Sequence, residues 1–207
     1  MRASALWIHD MTSLSLSSAR SLLECYLHAK DQNRPERIAQ CFADDATLTF
    51  SIATDSIDFP RSVTGADAIA KTLVSDFGER FDRCRTYYVC AEPDLDANGV
   101  CIMPWVVAMR EKESEALRLG KGAYRWRMGR TSGGLERIVA LHIHIERMDT
   151  IADAGSVKLG ALQDALTYPW MPPAMLMRGI QAFEETCADS AFVAAFREPA
   201  ETGTVRR

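Results

Sequence analysis

The fold is decided by residues 26–47, which read YLHAKDQNRPERIAQCFADDAT. The first of these residues form the end of an amphipathic helix, in which apolar side chains recur at three- and four-residue spacing. The letters NRPE at 33–36 resemble a capping box, and their proline suits the first turn of a second, short helix. Residues 46–52 then alternate between apolar and polar side chains, which predicts a half-buried strand.

The following residues predict a third helix and a set of long strands. Thr64 and Asp67 form another capping box, and apolar residues continue at helical spacing as far as Phe77. Turn residues then separate four predicted strands, at about 83–92, 99–110, 116–128 and 135–148. This order predicts an α+β cone-shaped roll, with three N-terminal helices packed on a strongly curved antiparallel sheet.

The chain divides into three predicted parts: an N-terminal arm at 1–14, the α+β domain at 15–148 and a C-terminal helical extension at 149–207. The extension contains two stretches with helical spacing on either side of a proline-rich break at 168–173. It is either a packed extension of the fold, or a cover over a partner subunit or the mouth of a pocket.

Composition excludes several functional classes for these 207 residues. A net charge of −4 offers no electrostatic basis for binding nucleic acid or an anionic membrane. No window is apolar enough to span a bilayer, and residues 1–14 lack the pattern of a secretory signal. The six cysteines form no CxxC pair, which favours reduced, buried thiols in a cytoplasmic protein.

The order of elements over residues 15–148 resembles the nuclear transport factor 2-like superfamily, which includes SnoaL-like cyclases and ketosteroid isomerase. The likeness rests on FADDAT at 42–47, the helix that follows Gly65, and the strand residues RIV at 137–139. It implies a cone built around a pocket. Enzymes, binding modules and transport factors all use this fold, so the fold does not determine the function.

Tyr26 is the candidate catalytic residue. The resemblance to ketosteroid isomerase places it where a tyrosine donates a hydrogen bond to the oxyanion of the substrate, and a phenol in a dry pocket is suited to that role. The alternative is a core tyrosine whose hydroxyl finds an acceptor in the protein. Phe50 stands where that enzyme has its carboxylate base and Gly122 where it has its second donor, so that particular isomerisation is not expected.

The residues predicted to face the inside of the cone are mostly apolar. They form a candidate site for a small hydrophobic or aromatic ligand, and the alternative is that they fill the cone. The predicted ligand-binding residues are Leu48, Phe50, Tyr124, Trp126, Leu141, Ile143 and Ile145.

His142, His144 and Glu146 share one face of the last strand, because residues two apart in a strand point the same way. Such a set could bind a metal ion, which we keep as a minor alternative. The more apolar residues between them are expected to face inward, which places the histidines on the outer surface of the sheet, beside Arg125. We predict a homodimer through this surface.

Two functional hypotheses follow. The first is a cofactor-free lyase, isomerase or cyclase that acts on a small hydrophobic substrate, with Tyr26 polarising an oxygen atom. The second is a non-catalytic ligand-binding or dimerisation module, which the missing carboxylate base favours. The two differ in whether an Asp, Glu or His reaches the Tyr26 hydroxyl. Neither hypothesis calls for a metal, a nucleic acid or a membrane.

Overall fold

The computed structural model describes residues 15–205, so the predicted N-terminal arm at 1–14 lies outside the described residues. The N-terminal half contains three helical segments, as predicted, and the third follows the first two strands. They are α1 (Leu16–Asp31), the short α2 (Ile38–Cys41), and a continuous helix made of α3 (Ala66–Ala70), a π-helical turn (Lys71–Ser75) and α4 (Asp76–Arg80). Ser15 caps α1 by accepting a hydrogen bond from the Ser18 amide at 3.1 Å.

The strands of the described residues form one curved sheet in the order β2-β1-β6-β5-β4-β3. Their bounds are β1 (Phe42–Ile52), β2 (Ser62–Thr64), β3 (Phe81–Tyr88), β4 (Val100–Glu111), β5 (Leu117–Arg130) and β6 (Glu136–Ile151). Neighbouring strands run antiparallel except β1 and β6, which are parallel. This parallel pair modifies the predicted antiparallel sheet, and it sets the first strand beside the last.

The helices α1 to α4 pack on one face of the sheet, which we call the inner face, and the residues buried there form the inner core. All seven predicted ligand-binding residues belong to this layer. Six are buried, and Phe50 is half-buried against them. Alternation along the strands therefore predicted correctly which side chains point towards the helices.

The C-terminal extension packs on the opposite, outer face of β3, β4 and β5. It consists of α5 (Val157–Ala165), α6 (Pro173–Thr186) and 3-10 turns that include Ala191–Phe196. Its buried side chains and outward-facing strand residues form a second, outer core, which includes Tyr87, Val106, Leu119, Ile180 and Phe183. The extension is thus packed mainly against the outer face of the sheet, although its Trp170 reaches the inner core, where it contacts Tyr88 and hydrogen-bonds Glu24 of α1.

Within residues 15–205, no helix combines the length and the apolar character that a membrane span requires.

Candidate functional site

A cavity of about 40 Å³ lies between the inner face of the sheet and the helices. Of the predicted residues, Tyr26, Phe50, Tyr124, Ile143 and Ile145 line it, whereas Leu48, Trp126 and Leu141 are buried without lining it. The remaining lining residues are Lys30, Ile57, Phe59, Leu73, Phe77, Thr86, Trp105, Val107, Met109 and Met148. The volume has room for about two water molecules, so the cone is nearly filled.

Tyr26 lies on α1 with its side chain completely buried. Its ring meets those of Trp126 and Tyr124 edge-on, with centroids 5.1 and 6.3 Å apart. The hydroxyl finds no hydrogen-bond partner among the described residues. Burial, followed by the neighbouring Tyr124 and Tyr88, raises the pKa of Tyr26 well above its ordinary value, and the Tyr124 hydroxyl adds to this effect as a nearby acceptor. The phenol therefore keeps its proton, and without a well-formed hydrogen bond to any described residue it can donate to a ligand oxygen.

Trp105 supplies a second donor that sequence reasoning missed. Its indole Nε1 is buried without a partner among the described residues, and the side chain lines the cavity. Trp105 on β4 is paired with Gly122 on β5, and a Cβ added at Gly122 would lie 2.6 Å from Cζ2 of the indole ring. Because Gly122 has no side chain, the indole ring of Trp105 can occupy the space beside it. The sequence signal for this donor is a glycine that faces a tryptophan on the neighbouring strand, and only the register of the strands reveals that pairing.

Lys30 adds a buried positive charge to the wall of the cavity. Its Nζ donates to Thr86 Oγ1 at 2.8 Å, forms an ion pair with Asp31 Oδ1 at 3.1 Å and lies 4.6 Å from the centre of the Phe77 ring. Burial alone would lower the pKa of Lys30, but the adjoining Cys84 and Asp31 side chains raise it overall, so the ammonium stays charged. Lys30 lies four residues after Tyr26 on α1, a spacing that places both on one helix face.

Asp31 completes this polar cluster from behind the cavity. It accepts hydrogen bonds from the Thr86 amide at 2.7 Å, from Thr86 Oγ1 at 3.0 Å and from the Tyr168 hydroxyl at 3.2 Å. Asp31 itself is not among the lining residues, which include no Asp, Glu or His in the described part of the chain. No such group bonds to the Tyr26 hydroxyl, so a proton acceptor is missing at the cavity wall.

Two stacked rings cover the cavity. Phe50 on β1 and Phe59 in the 53–61 segment lie parallel, with ring centroids 4.6 Å apart and an interplanar angle of 6°. They are the half-buried members of the lining, and the other lining side chains are buried. The route from solvent to the cavity therefore passes this stack.

The histidines lie on the outer face, as alternation predicted. His142 hydrogen-bonds Thr49 Oγ1 at 2.8 Å and Ser51 Oγ at 2.9 Å, and His144 hydrogen-bonds Ser51 Oγ at 2.8 Å. Glu146 instead forms an ion pair with Lys121 at 3.1 Å. Residues 15–205 contain no group of three side chains placed to hold a metal ion, so the minor alternative of a metal site at these residues is not supported.

Comparison with known proteins agrees with this fold. A family model described as a SnoaL-like domain matches residues 12–141. A nuclear transport factor 2-like superfamily protein from Salmonella enterica superposes with a TM-score of 0.52 at 17% identity, over 68% of this chain and 94% of its own. Hexachlorocyclohexane dehydrochlorinase LinA-type3 from Novosphingobium barchaimii superposes with a TM-score of 0.53 at 15% identity, over 66% of this chain and 89% of its own. At these identities the likeness concerns the fold alone. No curated protein matches the chain.

Proposed function

This chain belongs to the SnoaL-like domain family, and we propose that it binds a small hydrophobic molecule whose oxygen atom accepts hydrogen bonds from Tyr26 and Trp105. Lys30 contributes its positive charge and no hydrogen bond, because its ammonium already donates to Asp31, Cys84 and Thr86. One observation carries the proposal: the Tyr26 hydroxyl and the Trp105 indole nitrogen are both buried without partners in the described residues, and both side chains line one cavity. Buried donors are normally satisfied, because leaving one unpaired costs about 1–3 kcal/mol. A ligand oxygen would remove that cost.

The rest of the wall defines the class of ligand. Apart from Lys30, Thr86 and the donors, the lining side chains are aliphatic, aromatic or methionine, which favours a ligand that is apolar over most of its surface. The unpaired polar groups of the lining, on Tyr26 and Trp105, can donate hydrogen bonds, and the buried ammonium of Lys30 adds a positive potential. A carbonyl, enolate or phenolate oxygen fits these donors better than a hydroxyl that must itself donate.

Binding requires the cavity to open. A volume of about 40 Å³ is far below the roughly 300 Å³ at which ligand sites begin. Phe59 belongs to the segment between β1 and β2, and its ring is half-buried in the stack with Phe50. We therefore assign the opening to a displacement of Phe59, which would join the cavity to solvent without disturbing the strands.

The test compares two ligands of similar shape, acetophenone and ethylbenzene, by quenching of tryptophan fluorescence. The parent protein should bind acetophenone more tightly, and Tyr26→Phe should reduce that preference by about tenfold, the value of one buried hydrogen bond. Tyr88→Phe is the matched control, because the Tyr88 hydroxyl already donates to the Leu23 carbonyl oxygen at 3.0 Å. Saturable binding of neither ligand, or a preference that Tyr26→Phe leaves intact, would refute the proposal.

A catalytic use of the same donors is the second candidate, in the form of a cofactor-free lyase, isomerase or cyclase. The Lys30–Asp31 pair favours it, because Asp31 is a carboxylate that bonds to Thr86, a lining residue. Tyr26 would stabilise an enolate oxygen, as donors in a dry site do. The Thr86 hydroxyl, which lines the cavity, would accept the substrate proton as it passes its own proton to Asp31, to which it already donates at 3.0 Å.

Acetophenone also tests this reaction, since its methyl protons exchange with deuterium when an enolate forms. An enzyme should accelerate this exchange in deuterated water, and Tyr26→Phe and Asp31→Asn should each abolish the acceleration. Binding of acetophenone without accelerated exchange would leave the binding module as the function.

The homodimer also stays a proposal. The extension covers much of the outer face of β3 to β5, its end also reaches β6, and His144 is buried. The half-buried Arg125 and His142, which are paired across β5 and β6, are therefore the part of this stripe that a second copy could contact. A monomer mass by light scattering at micromolar concentration would exclude this association.

A further inference from the structure

Two cysteines meet where α1 joins α2. Cys25 lies on α1 and Cys41 is the last residue of α2, and the sulfur atom of each lies 3.7 Å from the same main-chain oxygen, that of Arg37. Cys41 is fully buried and Cys25 is half-buried. One thiol is therefore within reach of solvent, and the other is held beside it.

From this geometry we propose that Cys25 and Cys41 are a redox site, which a hydroperoxide converts to a reversible disulfide. Cys25 is the attacking thiol and Cys41 is the resolving thiol. The site is separate from the cavity, because neither cysteine lines it. The proposal therefore does not depend on the ligand or the reaction proposed above.

The surroundings of Cys25 favour its thiolate, which is the reactive form of cysteine. Hydrogen bonding by the Cys41 side chain, together with the guanidinium groups of Arg37 and Arg137 and against the opposing effect of burial, lowers the pKa of Cys25 to about 7. Burial instead raises the pKa of Cys84 and of Cys90 to about 12. Cys25 thus differs from the buried Cys84 in both access and pKa, and from the half-buried Cys90 in pKa.

An open groove leads to Cys25. The groove has a volume of about 650 Å³ and lies between the first turns of α1 and the hairpin that joins β5 to β6. Arg130 and Arg137 line it together with Cys25, and Cys41 does not. A small, polar peroxide can therefore reach the first cysteine, while the second stays sheltered until the first has reacted.

The chemistry balances in two steps. The Cys25 thiolate donates an electron pair to one peroxide oxygen, the oxygen–oxygen bond breaks, and hydroxide leaves a sulfenic acid on Cys25. Cys41 sulfur then attacks the Cys25 sulfur, the sulfur–oxygen bond breaks, and water leaves with the Cys41 proton. Two thiols and one hydrogen peroxide give one disulfide and two water molecules, and a dithiol reductant reverses the change by becoming oxidised itself.

The experiment treats the full chain with a small excess of hydrogen peroxide and digests it with trypsin without reduction. Cleavage after Arg20, Lys30, Arg37 and Arg61 places Cys25 in peptide 21–30 and Cys41 in peptide 38–61. We expect mass spectrometry to find these two peptides joined, and dithiothreitol to separate them. Cys90 and Cys101 share another peptide and should remain reduced, which makes them the internal control.

Two variants separate the roles of the cysteines. Cys25→Ser should abolish the cross-link. Cys41→Ala should leave a sulfenic acid on Cys25 that dimedone traps, because no resolving thiol remains. Cys187→Ser is the matched control at another half-buried cysteine and should leave the cross-link unchanged. Peroxide treatment of the folded parent that yields no joined peptides, or that oxidises Cys25 no faster than Cys187, would overturn the proposal.

Discussion

On the inner face of the sheet, the Tyr26 hydroxyl and the Trp105 indole nitrogen line a cavity and have no hydrogen-bond partner in the described residues. On the outer face of the same sheet, the rings of His142 and His144 bond to Ser51, and His142 also bonds to Thr49. The sequence offered Tyr26 as the candidate catalytic residue and the histidines as a minor alternative for binding a metal ion. In the structure both ring nitrogens of His142 and Nδ1 of His144 are hydrogen-bonded, whereas the two donors on the apolar side have no described partner.

The comparison teaches that an unpaired donor indicates a ligand site only together with space beside it. The Tyr87 hydroxyl and the Trp126 indole nitrogen are also buried without described partners, but neither side chain lines the cavity. What distinguishes Tyr26 and Trp105 is that both line a single cavity, to which Lys30 contributes a positive charge. Convergence of donors on one space is the feature that favours a site.

Trp126→Ala, on the inner face, is the substitution with the largest expected effect on stability. Trp126 is fully buried and packs against Tyr26, Tyr88 and Tyr124. Because the cavity beside these rings is small, the substitution should open a new void and lower the free energy of unfolding by about 3–5 kcal/mol. Urea denaturation followed by circular dichroism measures the loss.

Phe183→Ala is the matched substitution in the outer core, where Phe183 is also fully buried. It should cost about 3–5 kcal/mol as well. Leu135→Ala, at an exposed residue, should stay within about 0.5 kcal/mol of the parent. If Trp126→Ala lowered the free energy of unfolding no more than Leu135→Ala does, the interior of the cone would be open in solution and not nearly filled.

Much of the architecture was predictable, because helices and strands carry different apolar spacings. Alternation along the last strand predicted that Ile143 and Ile145 face inward and that His142 and His144 face outward, and the structure confirms both. The parallel pairing of β1 with β6 was not predictable, because periodicity within a strand does not say which strand lies beside it.

The candidate site was predictable only where it depends on local sequence, and not where it depends on contacts between distant elements. Tyr26 was selected by the resemblance to ketosteroid isomerase, and helical spacing predicted that it lies on the apolar face of α1. Trp105 depends on its partner Gly122 across the sheet, and that register follows from the tertiary fold. Lys30 lies on the same helix face as Tyr26, but a lysine on an apolar face is commonly read as a surface chain that extends to water. Its burial depends on Asp31 and Thr86, which come together only when α1 meets β3.

The second prediction compares two buried tyrosines within the inner core. Tyr88→Phe removes the donor to the Leu23 carbonyl oxygen and should lower the free energy of unfolding by about 1–3 kcal/mol, because a buried acceptor is left unpaired. Tyr26→Phe removes a hydroxyl that has no described partner, so we expect no loss of stability, and a gain of up to about 1–3 kcal/mol because the cost of an unpaired buried donor is removed. Chemical denaturation of both variants without ligand measures the difference. Equal losses would mean that Tyr26 has an acceptor in solution and is an ordinary core tyrosine.

The smallest expected effect is the pH dependence that the outer face contributes. Burial, then the neighbouring His144 and Arg125, lower the pKa of His142 below its ordinary value of 6.5, so the folded protein favours the neutral ring. Above pH 6.5 the His142 ring is neutral in both the folded and the unfolded protein, so the stability of the neutral, folded form is fully present. As the pH falls through 6.5 towards the folded pKa, the unfolded chain binds a proton that the folded protein does not, so stability declines.

Thermal unfolding between about pH 7.5 and pH 5.5 measures the slope of stability against pH. His142→Gln removes the titrating ring and should flatten the slope, whereas an unchanged slope would show that the folded protein does not disfavour protonation of His142.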